Sequence, residues 1–349
     1  MVVRNLSQVL LPGLGASLAR AFKQLPNDAH RFAVALSGGA DSAMLAVHAA
    51  HFAALQGKQV YCFHIHHGLQ QQADDWLKQS HLLARMLGIP CISRKVSVGH
   101  VGRDGIEAAA RTARYRAFSE LAELAGLRHI LLAHHQDDQA ETVLLRLLRG
   151  AGPAALGAMA PLTVRDGLHF MRPWLDQRRS DILEQSQLFA SLTDWCPVHD
   201  PSNAQDRYTR SALRERIVPQ LNARWPGWQG TLARHARQSR EIASLLDHLA
   251  SSDFQAMDPD ADVKSFSLQA WRALPSERQA LVLRYWLGLL SIPMPSDARL
   301  ADWMRQLRGL HQLGSDRSMQ ARHAGWLIRC TQGRVRIDPA QNQASRQQG

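Results

Sequence analysis

The stretch FAVALSGGADS, residues 32–42, runs from an apolar segment directly into a glycine-rich turn and an aspartate. Glycines after a strand let the backbone approach an anion closely, and the following helix directs its free N–H groups at that anion. A phosphate-binding loop is therefore predicted, formed by Ser37, Gly38, Gly39, Ala40, Asp41 and Ser42. A tight turn without a ligand is the alternative, since the stretch lacks the lysine of the common nucleoside-triphosphate loop.

Asp41 adds a second requirement to this loop. Its carboxylate would lie beside a bound phosphate, and like charges repel unless a cation separates them. The sequence therefore predicts that the loop also takes a divalent cation, Mg²⁺, or the ammonium group of a substrate.

The sequence on either side of the loop alternates between apolar runs and helical patterns. Four runs are typical of strands, at residues 31–36, 59–65, 89–98 and 128–135, and residues 168–175 are a candidate fifth strand. The segments between them have apolar residues at helical spacing and end in glycine. This order predicts an α/β fold with a parallel, Rossmann-like sheet covered on both faces. Ligands bind such sheets beyond the carboxyl ends of the strands.

The pattern changes at Ser211. A helix, a break rich in proline and tryptophan, and a long helix rich in arginine are followed by helices near 267–290 and 296–310 and by strands at 325–330 and 333–338. We therefore predict a first domain that contains the phosphate loop at 1–216, a linker helix with a smaller, mainly helical C-terminal domain at 217–338, and a disordered tail at 339–349.

Positive charge is concentrated in the second half of the chain. The net charge is +11, and residues 201–349 contain 21 Lys and Arg against 13 Asp and Glu. Arginine, which binds phosphate oxygens with two N–H groups, outnumbers lysine 36 to 5. This composition favours a nucleic-acid partner, and a solvated surface that reflects arginine-rich coding bias is the alternative. Five tryptophans among these arginines could stack on bases or fill a core: Trp225, Trp228, Trp271, Trp286 and Trp303.

Cysteine content and hydropathy exclude several classes of protein. The four cysteines are far apart and form no CxxC pair, so neither a zinc site nor a disulfide framework is indicated. No apolar run approaches the roughly 20 residues that span a bilayer. We therefore expect no membrane association and a cytoplasmic location.

The segment HHQDDQAET, residues 134–142, follows the fourth predicted strand and carries the densest group of titratable residues. On a helix, Asp137, Asp138 and Glu141 would lie on adjoining faces. Such a cluster can hold an ammonium group, bind a metal or accept a proton from an amine. A zinc or di-metal hydrolase, and an acidic helix start without a ligand, are alternatives.

The string SGGADS resembles the PP-loop of the ATP pyrophosphatases, which split ATP between its α and β phosphates. Within that superfamily, residues 63–76, 105–118 and 134–159 are similar in order and spacing to segments of the tRNA(Ile)-lysidine synthetase family, and the similarity continues through 172–175, 200–203 and 208–221. The resemblance implies ligation of L-lysine to the wobble cytidine of the isoleucine tRNA with a CAU anticodon, using ATP and Mg²⁺. AMP first activates the cytosine oxygen, and the lysine amine then displaces it, so AMP and pyrophosphate are released.

The resemblance also implies roles for individual residues. Asp137, Asp138 and Glu141 would bind lysine, and Asp41 and Asp138 would hold Mg²⁺. His134 would contact phosphate or transfer a proton. Arg111 and Arg114, three apart on one helical face, would offset charge at the α-phosphate, although a solvated arginine face is the alternative. The adenosine end would be formed by His66, His67 and Gly68, and the histidines could instead be packing residues.

Two departures from the family pattern stand out. Ser211 follows Arg210 where family members commonly have asparagine. The chain ends at residue 349, which predicts that the additional C-terminal domain of the longest members is absent.

A PP-loop tRNA thiolase and a non-catalytic RNA-binding protein that senses ATP are the competing functions. The thiolases rely on reactive cysteines, commonly in CxxC pairs.

Overall fold

The structure is a computed structural model that describes residues 10–25, 29–66, 68, 72–96, 105–198, 209–310 and 319–340, with only the backbone of 105–108. Of the positions singled out above, His67, residues 200–203, Tyr208 and most of the predicted tail lie outside the described residues. The chain forms two compact units, Met1–Arg240 and Glu241–Gly349. Within the described ranges, no helix combines the length and apolar content that crossing a membrane demands.

The first unit contains a six-stranded sheet in the order β3-β2-β1-β4-β6-β5. Its strands are β1 (Arg31–Ala35), β2 (Gln59–His66), β3 (Cys91–Lys95), β4 (His129–Leu131), β5 (Leu162–Arg165) and β6 (Leu168–Met171). All neighbours are parallel except β5, which pairs antiparallel with β6 at one edge. The four predicted strands and the candidate fifth strand are confirmed as β1 to β4 and β6, whereas β5 is an additional strand.

The helices of this unit connect and cover the strands. They are α1 (Pro12–Phe22), α2 (Ala40–Gln56), α3 (Ala73–Leu87), α4 (Gly105–Ala125), α5 (Gln136–Leu148), α6 (Arg179–Thr193), α7 (Thr209–Ala212), α8 (Val218–Arg224) and α9 (Trp228–Ala256), which continues into the second unit. A π-helical turn, Leu213–Ile217, joins α7 to α8, and a short 3-10 helix, Pro153–Gly157, follows α5.

The sheet has an apolar core on each face, as a doubly covered parallel sheet requires. In β1, Phe32 and Val34 pack with α1, α2 and α6, whereas Ala33 belongs to the core under α4. This alternation follows from the two-residue period of a strand. Since both faces are buried, β1 is apolar throughout its centre, which explains why its position was evident in the sequence.

The second unit has its own core and its own sheet. The strands β7 (Ser265–Ser267), β8 (Met319–His323), β9 (Trp326–Thr331) and β10 (Arg334–Pro339) form an antiparallel sheet in the order β7-β10-β9-β8. Three helices accompany them: α10 (Leu268–Ala273), α11 (Ser276–Leu289) and α12 (Asp297–Gly309). The core contains Trp271, Trp286 and Trp303, and Trp228 is buried in the first unit, so these tryptophans fill cores. Trp225, in contrast, is 58% exposed.

The strand order determines where a ligand can bind. The chain moves outward from β1 to β2 and β3, then crosses to β4 on the other side of β1. This reversal opens a crevice between the carboxyl ends of β1 and β4, where α/β sheets bind their ligands. The loop at Ser37–Ser42 follows β1, and the segment from His134 follows β4, so both border this crevice.

A buried histidine supports the packing of α2 on α6. The Nε2 atom of His48 lies 2.9 Å from Oε1 of Gln185, and its imidazole packs edge-on against Trp174 with ring centroids 5.6 Å apart. Burial lowers the pKa of His48 to about 4. The unfolded chain therefore binds this proton more readily than the folded chain between about pH 6.5 and 4.

We expect the stabilising contribution of His48 to be complete above pH 6.5 and to be lost as the pH falls toward 4, by up to roughly 3 kcal/mol. Urea unfolding between pH 7.5 and 4.5 measures this loss. His48→Gln should flatten the pH dependence of the unfolding free energy, and the matched change at the exposed His30, His30→Gln, should leave it as in the parent. Equal slopes in His48→Gln and the parent would contradict this assignment.

Candidate active site

The phosphate loop is organised around one hydroxyl group. The Oγ atom of Ser42 accepts the backbone N–H of Ser37 at 3.1 Å, donates to the carbonyl of Gly39 at 3.0 Å, and lies 3.0 Å from the Ser37 hydroxyl. Gly39 is the N-cap of α2, so the first N–H groups of that helix have no intrahelical partner. The loop thus has the geometry of an anion site at a helix N-terminus.

Gly38 connects this loop to the surrounding structure. Its φ is +91°, a conformation that side chains rarely adopt, and a Cβ atom there would lie 3.0 Å from Cγ2 of Val198 and 3.3 Å from Oγ of Ser80. The carbonyl of Gly38 also accepts the N–H of Val198 at 3.0 Å. Glycine is therefore required at this position for both backbone conformation and space.

Asp41 lies near the start of α2 and has an incompletely satisfied carboxylate. Its Oδ1 atom lies 3.6 Å from Nε of Arg179 and 3.8 Å from Nε2 of His135, both beyond hydrogen-bond distance. That oxygen is buried and has no hydrogen-bond partner within the described residues. Mg²⁺ is commonly held by one or two carboxylates together with substrate phosphates. A carboxylate oxygen without a hydrogen bond, beside an anion loop, fits that donor set.

His135 connects the loop to the acid cluster. It caps α5 by accepting the N–H of Asp138 at its Nδ1 atom, 3.4 Å away, so Nε2 is the ring nitrogen that can donate a hydrogen bond. This Nε2 atom lies 3.3 Å from Oδ2 of Asp138 and 3.8 Å from Oδ1 of Asp41. The structure therefore brings together the two carboxylates that were predicted to hold Mg²⁺.

Two arginines from beyond α6 neutralise the acid cluster. The Nε atom of Arg214 lies 2.6 Å from Oε1 of Glu141, and its Nη2 atom lies 3.3 Å from Oδ1 of Asp138. Arg210 lies 3.3 Å from Oε2 of Glu141. Burial would raise the pKa of Asp138, but the neighbouring histidines and arginines together lower it. Asp137 is half-buried and has no ion pair within the described part of the chain.

His134 is a partly buried imidazole with several positive charges nearby. Burial lowers its pKa to about 4, and the guanidinium groups of Arg172, Arg114 and Arg210 act in the same direction, against the opposing effect of Asp138. Its Nδ1 atom is buried without a hydrogen-bond partner among the described residues. His134 is therefore neutral at pH 7 and can serve as a hydrogen-bond donor or proton acceptor.

Arg111 and Arg114 lie next to Tyr115 on α4, as the helical spacing predicts. The guanidinium carbon of Arg111 is 5.2 Å from the Tyr115 ring centroid, and Nη2 of Arg111 donates to the tyrosine hydroxyl at 3.4 Å. Burial, together with Arg111, lowers the pKa of Arg114. Arg172 is also buried, and it donates to the carbonyl of Ala160 and to Thr163.

The predicted adenosine end lies at the carboxyl end of β2. His66 is buried, and its Nε2 atom lies 2.9 Å from Oδ1 of Asp74. Its Nδ1 atom is buried without a hydrogen-bond partner in the described ranges. Gly68 is exposed, with φ +64°. Contact of these residues with adenosine stays a prediction.

Sequence reasoning missed several residues of this site. They are His135, Arg172, Arg179, Arg210 and Arg214. A signal existed for two of them, because Arg210 and Arg214 are four apart in a helical segment and therefore share a face. No comparable signal marked Arg179, whose approach to Asp41 depends on how α6 packs.

Family models match both parts of the chain. The PP-loop domain matches residues 14–221, and the TilS substrate binding domain matches residues 266–336. A tRNA(Ile)-lysidine synthase of Bordetella bronchiseptica is 50% identical over 335 residues, which are 96% of this chain and 97% of the relative. The chain belongs to the tRNA(Ile)-lysidine synthase family. The family member from Bordetella pertussis is 51% identical over 92% of this chain and its own full length.

A solved structure confirms the fold of this tRNA(Ile)-lysidine synthase family member. The U34-tRNA thiolase NcsA from Methanococcus maripaludis, solved with its 4Fe–4S cluster, aligns with a TM-score of 0.51 at 16% identity. The alignment covers 65% of this chain and 79% of the thiolase. At that identity the likeness concerns the fold alone. The PP-loop domain is an ATP-utilising domain, which supports ATP as a substrate of the chain.

The phosphate loop yields a matched pair of substitutions. Gly38→Ala should lower the free energy of unfolding by about 1–3 kcal/mol, because it adds a strained φ and a close contact with Val198. Gly39→Ala should change it by less than about 0.5 kcal/mol, because φ is −73° there and the nearest atom to an added Cβ is 3.6 Å away. Urea titrations of both variants measure the difference. Equal destabilisation would show that Gly38 is not conformationally required.

Proposed function

We propose that this chain ligates L-lysine to the wobble cytidine of an isoleucine tRNA with a CAU anticodon, with cleavage of ATP to AMP and pyrophosphate. One observation carries the proposal: Nε2 of His135 lies 3.8 Å from Asp41 of the phosphate loop and 3.3 Å from Asp138 on α5. The proposed nucleotide site and the proposed site for a cationic amine would therefore share one crevice. Membership of the tRNA(Ile)-lysidine synthase family supports the choice of substrates.

The loop at Ser37–Ser42 would hold the phosphates of ATP through the backbone N–H groups at the start of α2. Asp138 would hold Mg²⁺ together with Asp41, whose Oδ1 atom has no hydrogen bond to any described residue. Bound there, Mg²⁺ would offset the charge of the phosphates. Arg179 could supply a second positive charge beside Asp41, since its Nε atom is already 3.6 Å away. His66 and Gly68 would lie toward the adenosine.

Activation and ligation are two separate steps. In the first, the cytosine carbonyl oxygen attacks the α-phosphorus, the bond to the β-phosphate breaks, and pyrophosphate leaves. Arg111 and Arg114 would offset the negative charge that develops at the α-phosphate. In the second, the lysine amine attacks the activated carbon, AMP leaves with the oxygen, and the amine loses a proton.

We propose that His134 receives that proton. In the free protein, burial and three nearby arginines lower its pKa to about 4, which makes it a weak base. An anion bound beside Arg114 and Arg172 would offset part of their positive charge and raise the pKa of His134. The histidine would therefore become a better proton acceptor when phosphate is bound, which is when the amine reacts.

Lysine brings two ammonium groups and a carboxylate, so its site needs both acids and a cation. Asp137, Asp138 and Glu141 would receive the ammonium groups. Asp137 is the carboxylate available without breaking an ion pair of the described structure. Arg210 and Arg214, which already contact Glu141, could interact with the lysine carboxylate.

The rest of the chain would bind the tRNA. We propose that residues 1–216 carry the chemistry and that 217–338, with the linker helix and the second unit, bind tRNA. The excess of 21 basic over 13 acidic residues from 201 onward supports this division of roles. Since ATP, lysine and tRNA are cytoplasmic substrates, we propose that the enzyme acts in the cytoplasm.

The thiolase alternative has little support in the side chains present. Cys62 and Cys330 are buried, and Cys330 belongs to the second unit. Within the described ranges, no three His, Cys, Asp or Glu side chains form a group with metal-binding geometry. A non-catalytic ATP sensor would not require the acid and histidine cluster. Neither alternative is favoured over the ligase.

The reaction products test the proposal directly. With ATP, lysine and a CAU-anticodon isoleucine tRNA, we expect AMP and pyrophosphate in equal amounts and a wobble nucleoside heavier by lysine less one water. Mass analysis of the digested tRNA and chromatography of the nucleotides measure both. Omission of lysine or tRNA should abolish the modified nucleoside. Accumulation of ADP and phosphate would refute the proposed bond cleavage.

Single substitutions test the two ends of the site separately. Asp137→Ala should raise the KM for lysine at least about tenfold with the KM for ATP nearly unchanged, because it removes a charged contact to an ammonium. Arg114→Ala should slow AMP transfer about 10²- to 10³-fold with little change in the KM for lysine. Steady-state kinetics with both substrates varied measure these values, and Asp75→Ala, an exposed acid paired with Lys78, is the control. If Asp137→Ala raises the KM for ATP instead, the assignments of the lysine end and the ATP end of the site must be exchanged.

A further inference from the structure

A row of four arginines, Arg111, Arg114, Arg165 and Arg172, lies around Tyr115 of α4. Arg165 lies over the ring of Tyr115, with its guanidinium carbon 4.5 Å from the ring centroid, and Arg111 lies over the same ring. Tyr115 itself is buried against Phe170 of β6, with ring centroids 4.9 Å apart. The ring therefore fixes two guanidinium groups that are otherwise accessible to solvent.

The register of the hairpin places Arg165 away from the phosphate loop. In the antiparallel β5–β6 pair, Leu162 is opposite Met171, and Arg165 is opposite Leu168. Since β6 runs parallel to β4, Met171 is at the carboxyl edge that borders the crevice, and Leu168 is at the far end of the strand. The backbone of Arg165 thus lies near the opposite edge of the sheet from Arg172.

Little negative charge opposes this row. Arg165 contacts the exposed Asp166, with Nε 3.4 Å from Oδ2. Within the described part of the chain, Arg111, Arg114 and Arg172 have no carboxylate partner within ion-pair distance. Repulsion among them contributes to lowering the pKa of both Arg114 and Arg172, after the larger effect of burial. Such a row is stabilised by an anion that reaches several of its members.

ATP bound at the phosphate loop would leave part of this row to a second anion. Its phosphates would lie at the loop after β1, whereas the backbone of Arg165 is at the other end of β5 and its exposed guanidinium lies against the Tyr115 ring. A nucleic-acid strand has phosphates at regular intervals and can contact both ends at once. Arginine binds phosphate oxygens and stacks on bases, which suits an unpaired loop of RNA.

We propose that Arg165, supported by Tyr115, binds a backbone phosphate of the tRNA anticodon arm and orients the wobble cytidine toward the crevice. The inference rests on the proposed function for the identity of the RNA. It assigns a contact to the catalytic unit itself, in addition to the basic residues from 201 onward. Arg165 is a positioning residue in this scheme, because it does not touch the reacting atoms.

Binding of the isolated anticodon stem–loop to the full chain, without ATP or lysine, tests this contact. We expect Arg165→Ala to weaken binding about tenfold and to reduce the slope of log affinity against log salt by ~0.7–0.9, as the loss of one phosphate contact requires. Arg165→Lys should retain most of the affinity, and Arg165→Glu should weaken it further than alanine. Fluorescence anisotropy at several salt concentrations provides both quantities.

Arg116→Ala is the matched control. Arg116 lies on the same helix, its side chain is 83% exposed, and it contacts Glu120. Its removal should leave RNA affinity and salt slope as in the parent. Urea unfolding of Arg165→Ala shows whether the fold is intact. If the alanine variant is destabilised, the three variants still provide a test, because the phosphate contact predicts that RNA affinity falls in the order Lys, Ala, Glu. A packing role predicts no dependence on charge.

Unchanged stem–loop affinity in Arg165→Ala would overturn the inference. A higher KM for ATP with unchanged RNA binding would overturn it as well, and would place Arg165 at the nucleotide site. The binding test does not depend on catalysis, because it is performed without ATP or lysine. If the parent protein binds the stem–loop but forms no lysidine, the proposed function fails while the Arg165 contact can still be measured.

Discussion

The ion pair between the buried Glu141 of α5 and Arg214 is the interaction on which the site depends. Glu141 is 4% exposed, and a carboxylate removed from water is strongly destabilising unless a cation accompanies it. The cation is Arg214, which comes from the π-helical turn more than seventy residues away in the chain. π-Helical turns are rare and occur frequently at functional sites. Packing of this turn against α5 therefore follows from the electrostatics of the crevice as well as from apolar burial.

The site contains side chains of both charges close to two adjacent histidines. The Nε2 atom of His135 lies 3.8 Å from Asp41 and 3.3 Å from Asp138, whereas Arg172, Arg114 and Arg210 act on His134 against Asp138. Acidic and basic side chains therefore meet at this pair of adjacent histidines. Under the proposed function, phosphate and ammonium groups would each meet an opposite charge within one crevice.

Helices and strands with a clear pattern of apolar residues were predictable from the sequence, and short or exposed elements were not. The strands β1 and β2 are apolar because both faces are covered, so their positions followed from composition. In contrast, β5 has three exposed residues out of four, and β7 contains only three residues, too few to show alternation. The residues that follow β1 and β4 were predictable because parallel strands end at one edge. Arg179 was not, since its approach to Asp41 depends on the packing of α6, which no local pattern specifies.

The basic residues at the two borders of the large sheet have an effect on solubility. An unpaired edge strand presents free N–H and C=O groups to any other strand, and charged side chains on short edges prevent such association. On one border β3 ends in the exposed Arg94 and Lys95, and on the other β5 ends in the exposed Arg165. Each border strand is no longer than five residues. These charges protect the sheet against edge-to-edge aggregation. An apolar residue in place of Arg165 would therefore make the β5 edge prone to aggregation, in addition to removing a charge.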